Sequence, residues 1–123
     1  MEQKVALDAK ALTDLVIEGL QNLKGKEIVR MDLSQTDGAM TDYFVICTGT
    51  SDTHVSALAD SVLKTVKEQS GDIPISKEGM DVCEWVLIDY VNVIVQIFLK
   101  EKREFYRLES LWGDADIERI PDM

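Results

Sequence analysis

The chain has 123 residues, 46% of them hydrophobic and 29% charged, which is the balance of a folded globular protein and not of a disordered one. Lys and Arg number 13 against 23 Asp and Glu, and the resulting net charge of −10 repels nucleic-acid phosphates and anionic lipid headgroups, so no direct nucleic-acid or membrane partner is expected. The longest apolar run, Val91 to Leu99, is interrupted by Asn92 and Gln96 and is far shorter than the roughly 20 residues that cross a bilayer.

No repeat, low-complexity run or linker breaks the sequence, and the only prolines are Pro74 and Pro121, so one domain over residues 1–123 is expected. The first residues carry Glu2, Lys4 and Asp8 instead of a continuous apolar block, and a cytoplasmic location follows as the expectation. From about Asp8 to Leu23, Leu12, Leu15, Val16, Leu20 and Leu23 recur at helical spacing, with Gly25 placed as the stop. Val29, Met31 and Leu33 then alternate with Arg30 and Asp32, the period of a half-exposed strand. Asp37 and Gly38 mark a loop from Ser34 to Thr41.

Tyr43 to Cys47 is continuously apolar and reads as a central strand covered on both faces. Ser51 or Asp52 can cap the helix that follows, whose stripe is Val55, Leu58, Ala59, Val62, Leu63 and Val66 and whose end lies near Gly71. Ile73 to Ile75 suggests a short extended piece and Gly79 a bend. Trp85–Tyr90 and Val93–Leu99 form a hairpin, with Trp85, Leu87 and Asp89 on one side and Val86, Ile88 and Tyr90 on the other. Phe105, Leu108, Leu111 and Trp112 give a last helix before an acidic tail with Asp114, Asp116 and Glu118. A mixed α/β sheet with helices packed on it is the layered solution for this order.

Chemistry is sparse. Gly49-Thr50-Ser51 stands between a strand and a helix, where free N–H groups can cradle a phosphate. No Lys or Arg occurs between Arg30 and Lys64 to balance a polyphosphate, so the turn reads as a helix cap, with a nucleotide-dependent transferase as the alternative. The only Asp-x-Asp, Asp114 with Asp116, falls in the tail and not on a strand where it could hold Mg²⁺. His54 is the sole histidine, and Cys47 and Cys83 lack zinc-site spacing, so no metal, cofactor or catalytic residue is assigned and both thiols are expected to be reduced. Between Lys77 and Lys100 a second base-free stretch mixes Glu78, Asp81, Glu84 and Asp89 with Trp85, Tyr90 and Phe98. That mixture suits a basic protein partner; a merely solvated acidic face is the other reading. Trp85 itself is equally a core anchor or the centre of an interface.

Four blocks resemble the ribosomal silencing factor (Iojap-like) family: Gly25-Lys26 to Asp32, Thr41-Asp42-Tyr43-Phe44-Val45-Ile46-Cys47-Thr48-Gly49-Thr50-Ser51, Trp85 to Tyr90, and Phe105-Tyr106-Arg107-Leu108-Glu109 through Leu111-Trp112. The resemblance implies a fold similar to that of nucleotidyltransferases without their catalytic residues. It implies a translational repressor, not an enzyme, that binds protein fourteen of the large ribosomal subunit and blocks joining of the small one. It also implies a contribution to large-subunit biogenesis and a homodimer when free. By the family's pattern the partner-facing patch includes Trp85, Leu87 and Asp89, with Tyr90, Met80 and Phe98 as further members. Two departures stand out: Val91-Asn92 replaces a glycine-bearing turn, which suggests a longer or different one because β-branched residues tolerate positive φ poorly, and Gln96 stands where many relatives have histidine.

Overall fold

The computed structural model describes residues 8–36, 38–39, 41–105 and 116–122. Helix α1 (Ala9–Asn22) begins where the Asp8 carboxylate accepts the Ala11 N–H at 2.7 Å, and its stripe of Leu12, Val16, Ile17 and Leu20 is buried. The left-handed residue that stops it is Lys24 (φ +59°), not Gly25: the Lys24 N–H donates to the Gln21 carbonyl and the Gly25 N–H to that of Leu20. Gly25 is required for a different reason, because a Cβ there would lie 2.5 Å from Cys47 Sγ.

Strand β1 (Lys26–Asp32) pairs antiparallel with β2 (Tyr43–Gly49) through a bulge between Lys26 and Val29, where Glu27 has φ +49°. β2 is buried along nearly its whole length, as its unbroken apolar run requires. Ser51 caps α2 (Asp52–Ser70) by accepting the His54 N–H at 3.1 Å, and Gly71 closes it at φ +79°. β3 (Ser76–Glu78), β4 (Trp85–Asp89) and β5 (Val93–Leu99) follow, then α3 (Lys100–Phe105) and β6 (Asp116–Ile120). Among the described residues these strands form one mixed sheet in the order β3-β4-β5-β2-β1-β6, with β2 and β5 parallel and the other pairs antiparallel.

Two expectations are corrected. The extended piece lies at Ser76–Glu78, just beyond Ile73–Ile75, although the Ile75 N–H already reaches the Asp89 carbonyl. The acidic tail is partly a strand: Asp116–Ile120 pairs with Ile28–Asp32, and Arg30 ties it down, with Nη2 2.6 Å from Glu118 while Nη1 bonds Asp14 and Thr13 on α1. The hairpin turn is of a different type, one of the two outcomes expected from its valine, and it is no longer than Val91-Asn92. Val91 takes φ +78°, and the Asn92 N–H donates to the Tyr90 carbonyl at 3.0 Å, an i to i+2 bond that makes this a γ-turn. Leu108, Leu111, Trp112 and Asp114 of the expected last helix and tail lie outside the described residues.

The core has two parts, one on each side of the sheet. On one side Ile28, Val45, Cys47, Val86, Ile88, Val93, Val95 and Ile97 pack against Leu12, Val16, Leu20, Val55, Leu58 and Val62 of α1 and α2. On the other, Val29, Met31, Leu33, Phe44, Ile46, Ile94 and Phe98 form a second cluster. The period-two alternation of the strands separates the two sets.

Candidate functional site

Strand register decides which side chains of the hairpin meet. Antiparallel pairing puts Trp85 opposite Phe98, Leu87 opposite Gln96 and Asp89 opposite Ile94, and opposite residues share a face. The next strand outward places Glu78 opposite Leu87 and Ser76 opposite Asp89. The face that is an apolar cluster at the centre of the sheet therefore becomes, toward the β3 edge, a row of partly exposed aromatic, aliphatic and acidic residues. Trp85 is 39% exposed, and Leu87 and Asp89 are half-buried.

Trp85 is held from beneath and from the side. Its ring stacks on Phe98, with centroids 5.3 Å apart and planes 19° from parallel, and its indole N–H donates to Gln96 Oε1 at 3.0 Å. Phe98 is fully buried, so it is the floor under Trp85 and offers no free surface of its own. At the entry to β4 the Glu84 carbonyl accepts the Leu99 N–H at 2.8 Å, and its carboxylate lies 3.7 Å from Lys102 Nζ. At the exit the Asp89 carboxylate accepts the Val91 N–H at 2.7 Å.

Tyr90 and Met80 are elsewhere. Tyr90 is 8% exposed and packs with the helix-side core, and Met80 lies against the same cluster. Burial, helped by the charge of Asp72, pushes the Tyr90 phenol up to about 12. Its hydroxyl has no hydrogen-bond partner among the described residues. The structure thus brings together Trp85, Leu87, Asp89 and Phe98 and sends Tyr90 and Met80 to the opposite side, for Tyr90 the side that simple alternation gives. Gln96 was legible as a polar break in an apolar strand and as a departure from the histidine of many relatives, and nothing in the sequence tied it to Trp85.

The Gly49–Ser51 turn is closed on itself. The Thr50 N–H donates to His54 Nδ1 at 2.9 Å, the His54 N–H to Ser51 Oγ, the Thr53 N–H to Asp52 Oδ1, and His54 Nε2–H reaches the Leu23 carbonyl at 2.8 Å. A Cβ on Gly49 would lie 2.6 Å from Val55 Cγ2, so this glycine lets α2 start against the end of β2. The adjacent cleft, about 430 Å³, is lined by Asp52, Asp60 and Asp81 and by no Lys or Arg among the described residues. The engagement of the Thr50, Thr53 and His54 N–H groups and an acidic wall make a poor phosphate cradle. Among the described residues no cluster of three His, Cys, Asp or Glu could hold a metal ion, and no helix is long and apolar enough to cross a membrane.

The family model described as "Ribosomal silencing factor during starvation" matches residues 6–123. The chain belongs to this family. It is similar to the ribosomal silencing factor of Haemophilus influenzae, 38% identical over 84% of this chain and 99% of that protein. A mouse protein named for mitochondrial assembly of the ribosomal large subunit is 31% identical over 86% of this chain and 47% of its own length. The crystal structure of a Chromobacterium violaceum protein matches with a TM-score of 0.82 at 36% identity, covering 87% of this chain and 88% of that one. Ribosomal silencing factors are regulators and not enzymes, and the closed Gly49–Ser51 turn is consistent with that class.

Proposed function

We propose that this silencing factor represses translation by docking its Trp85 face on protein fourteen of the large ribosomal subunit, where it occupies space the small subunit needs. The reading is carried by one observation: an indole fixed by two neighbours yet 39% exposed, set in a row with Leu87, Asp89 and Glu78 at the edge of the sheet. Aromatic anchors in a rigid setting dominate interface energetics, and flanking acids orient a basic partner. Repression by occlusion requires no bond to be made or broken. The same reading includes a cytoplasmic location, a homodimer when free and a contribution to large-subunit biogenesis, the last supported by the name of the mouse relative.

Sedimentation of purified subunits with the protein tests it. Wild type is expected to comigrate with the large subunit and to reduce joining. Trp85→Ala is expected to weaken binding about 30-fold, the ~2 kcal/mol of an interface anchor. Wild-type protein left at the top of the gradient, with subunits joining normally, would sink the proposal.

A further inference from the structure

Gln96 is the one polar side chain in Val93–Leu99 of β5, and it is 4% exposed. Placing an amide there is costly unless something uses it, since an aliphatic residue would fill the space without burying polar atoms. Its neighbours on the same face of β5, Ile94 and Phe98, are both buried and apolar. What uses the amide lies diagonally across the ladder: Trp85 sits opposite Phe98, two positions along β5, and its Nε1 reaches Gln96 Oε1 at 3.0 Å. Diagonal partners stand about 7–8 Å apart, within reach of two long side chains. An indole nitrogen only donates, so it also selects the oxygen end of the amide.

We infer that Gln96 is a positioning residue for partner binding: with Phe98 it locks Trp85 into the orientation in which the indole docks. The two contacts restrain different motions. Stacking on Phe98 fixes the plane of the ring, and the hydrogen bond to Gln96 fixes which edge of the indole points inward. A side chain ordered in advance does not lose that freedom on binding, so affinity rises without any new contact to the partner. Gln96 itself stays buried, at the edge of the exposed ring. This inference rests on the docking reading given above and adds to it the source of Trp85's rigidity.

The test is a double-mutant cycle read on purified large subunits. Gln96→Met keeps the length of the side chain and removes the acceptor; Trp85→Phe keeps an aromatic ring and removes the N–H. Gln96→Met is expected to weaken subunit binding about tenfold in the wild-type background and less than about twofold in Trp85→Phe, because the residue acts through the indole. In ¹⁵N-labelled protein the Trp85 indole resonance, assigned by its loss in Trp85→Phe, is expected to shift and its proton to exchange faster in Gln96→Met. Should Gln96→Met not fold, benzothienylalanine at position 85, an isostere lacking only the N–H, is expected to show the same tenfold loss. Equal losses in both backgrounds would reduce Gln96 to a packing residue and overturn the inference. Wild-type affinity in Gln96→Met or in the isostere would overturn it while leaving Trp85 as the anchor, whereas wild-type protein that does not bind subunits removes the docking reading and this inference together.

Discussion

Tyr90 and Trp85 are five residues apart on the same hairpin and do opposite things. Tyr90 directly follows β4 and packs with the helix-side core, and its phenol is buried with a hydroxyl that no described residue satisfies. An ionised phenolate there would be worse still, which is why its titration is pushed up to about 12 from the usual value near 10. The sign follows from linkage: the folded state holds the proton more tightly, so this contribution to stability is complete below about pH 10 and is lost as pH rises toward 12. Tyr90→Phe removes the titrating group without opening a cavity. It is expected to be neutral or slightly stabilising at pH 7, to flatten the fall in stability between about pH 10 and 12, and to leave subunit binding unchanged. Urea midpoints measured across that range test the first two points. A large loss of subunit affinity in the same variant would return Tyr90 to the interface.

At the scale of elements the hairpin turn stores strain. Val91 is held at φ +78° by its own γ-turn and by the preceding loop: Thr41 Oγ1 donates to the Val91 carbonyl at 3.0 Å, and the Asp42 and Tyr43 N–H groups donate to that of Asn92. Left-handed backbone costs a β-branched residue about 1–2 kcal/mol, and glycine relieves this at an entropic cost of roughly 0.5–1 kcal/mol. Val91 is 53% exposed, so little burial is lost on replacing it. Val91→Gly is accordingly expected to raise the unfolding free energy by up to about 1 kcal/mol, read as a higher urea midpoint at unchanged m; a lower midpoint would show that the valine side chain holds the turn. The turn also shows why some elements were legible in the sequence and others not. α1, α2, β2 and the hairpin strands carry their own periodicity and caps, and each was found close to its observed bounds. β3 is three exposed residues whose only reason to be extended is the neighbouring β4. β6 reads as a charged tail because its stabilisation is remote, coming from pairing with β1 and from Arg30 on Glu118. The same limit applied to the site. Alternation put Trp85, Leu87 and Asp89 together, but the Gln96 contact depends on a cross-strand diagonal that only the register defines.

For the whole molecule the decisive quantity is charge. A protein with net charge −10 approaching a ribosomal subunit meets two opposing fields, repulsion from nucleic-acid phosphates and attraction to basic ribosomal proteins. Which one governs the encounter is readable from the sign of the salt dependence. The proposed docking face carries Asp89 and Glu78 beside Trp85, and such rim charges act mainly on association rate. Raising salt from about 0.1 to about 1 M shortens the screening length from ~10 to ~3 Å. If attraction to a basic protein patch dominates, the association rate with isolated large subunits is expected to fall at least tenfold over that range. Dissociation, governed by the buried indole, is expected to change little. Asp89→Asn together with Glu78→Gln should slow association and weaken its salt dependence, with the Val91 N–H still accepted by the asparagine oxygen. Stopped-flow mixing of labelled protein with subunits measures all three. An association rate that rises with salt would mean that phosphate repulsion controls the approach, and the acidic rim would then have to be read as a solubility feature and not as a guide to the partner.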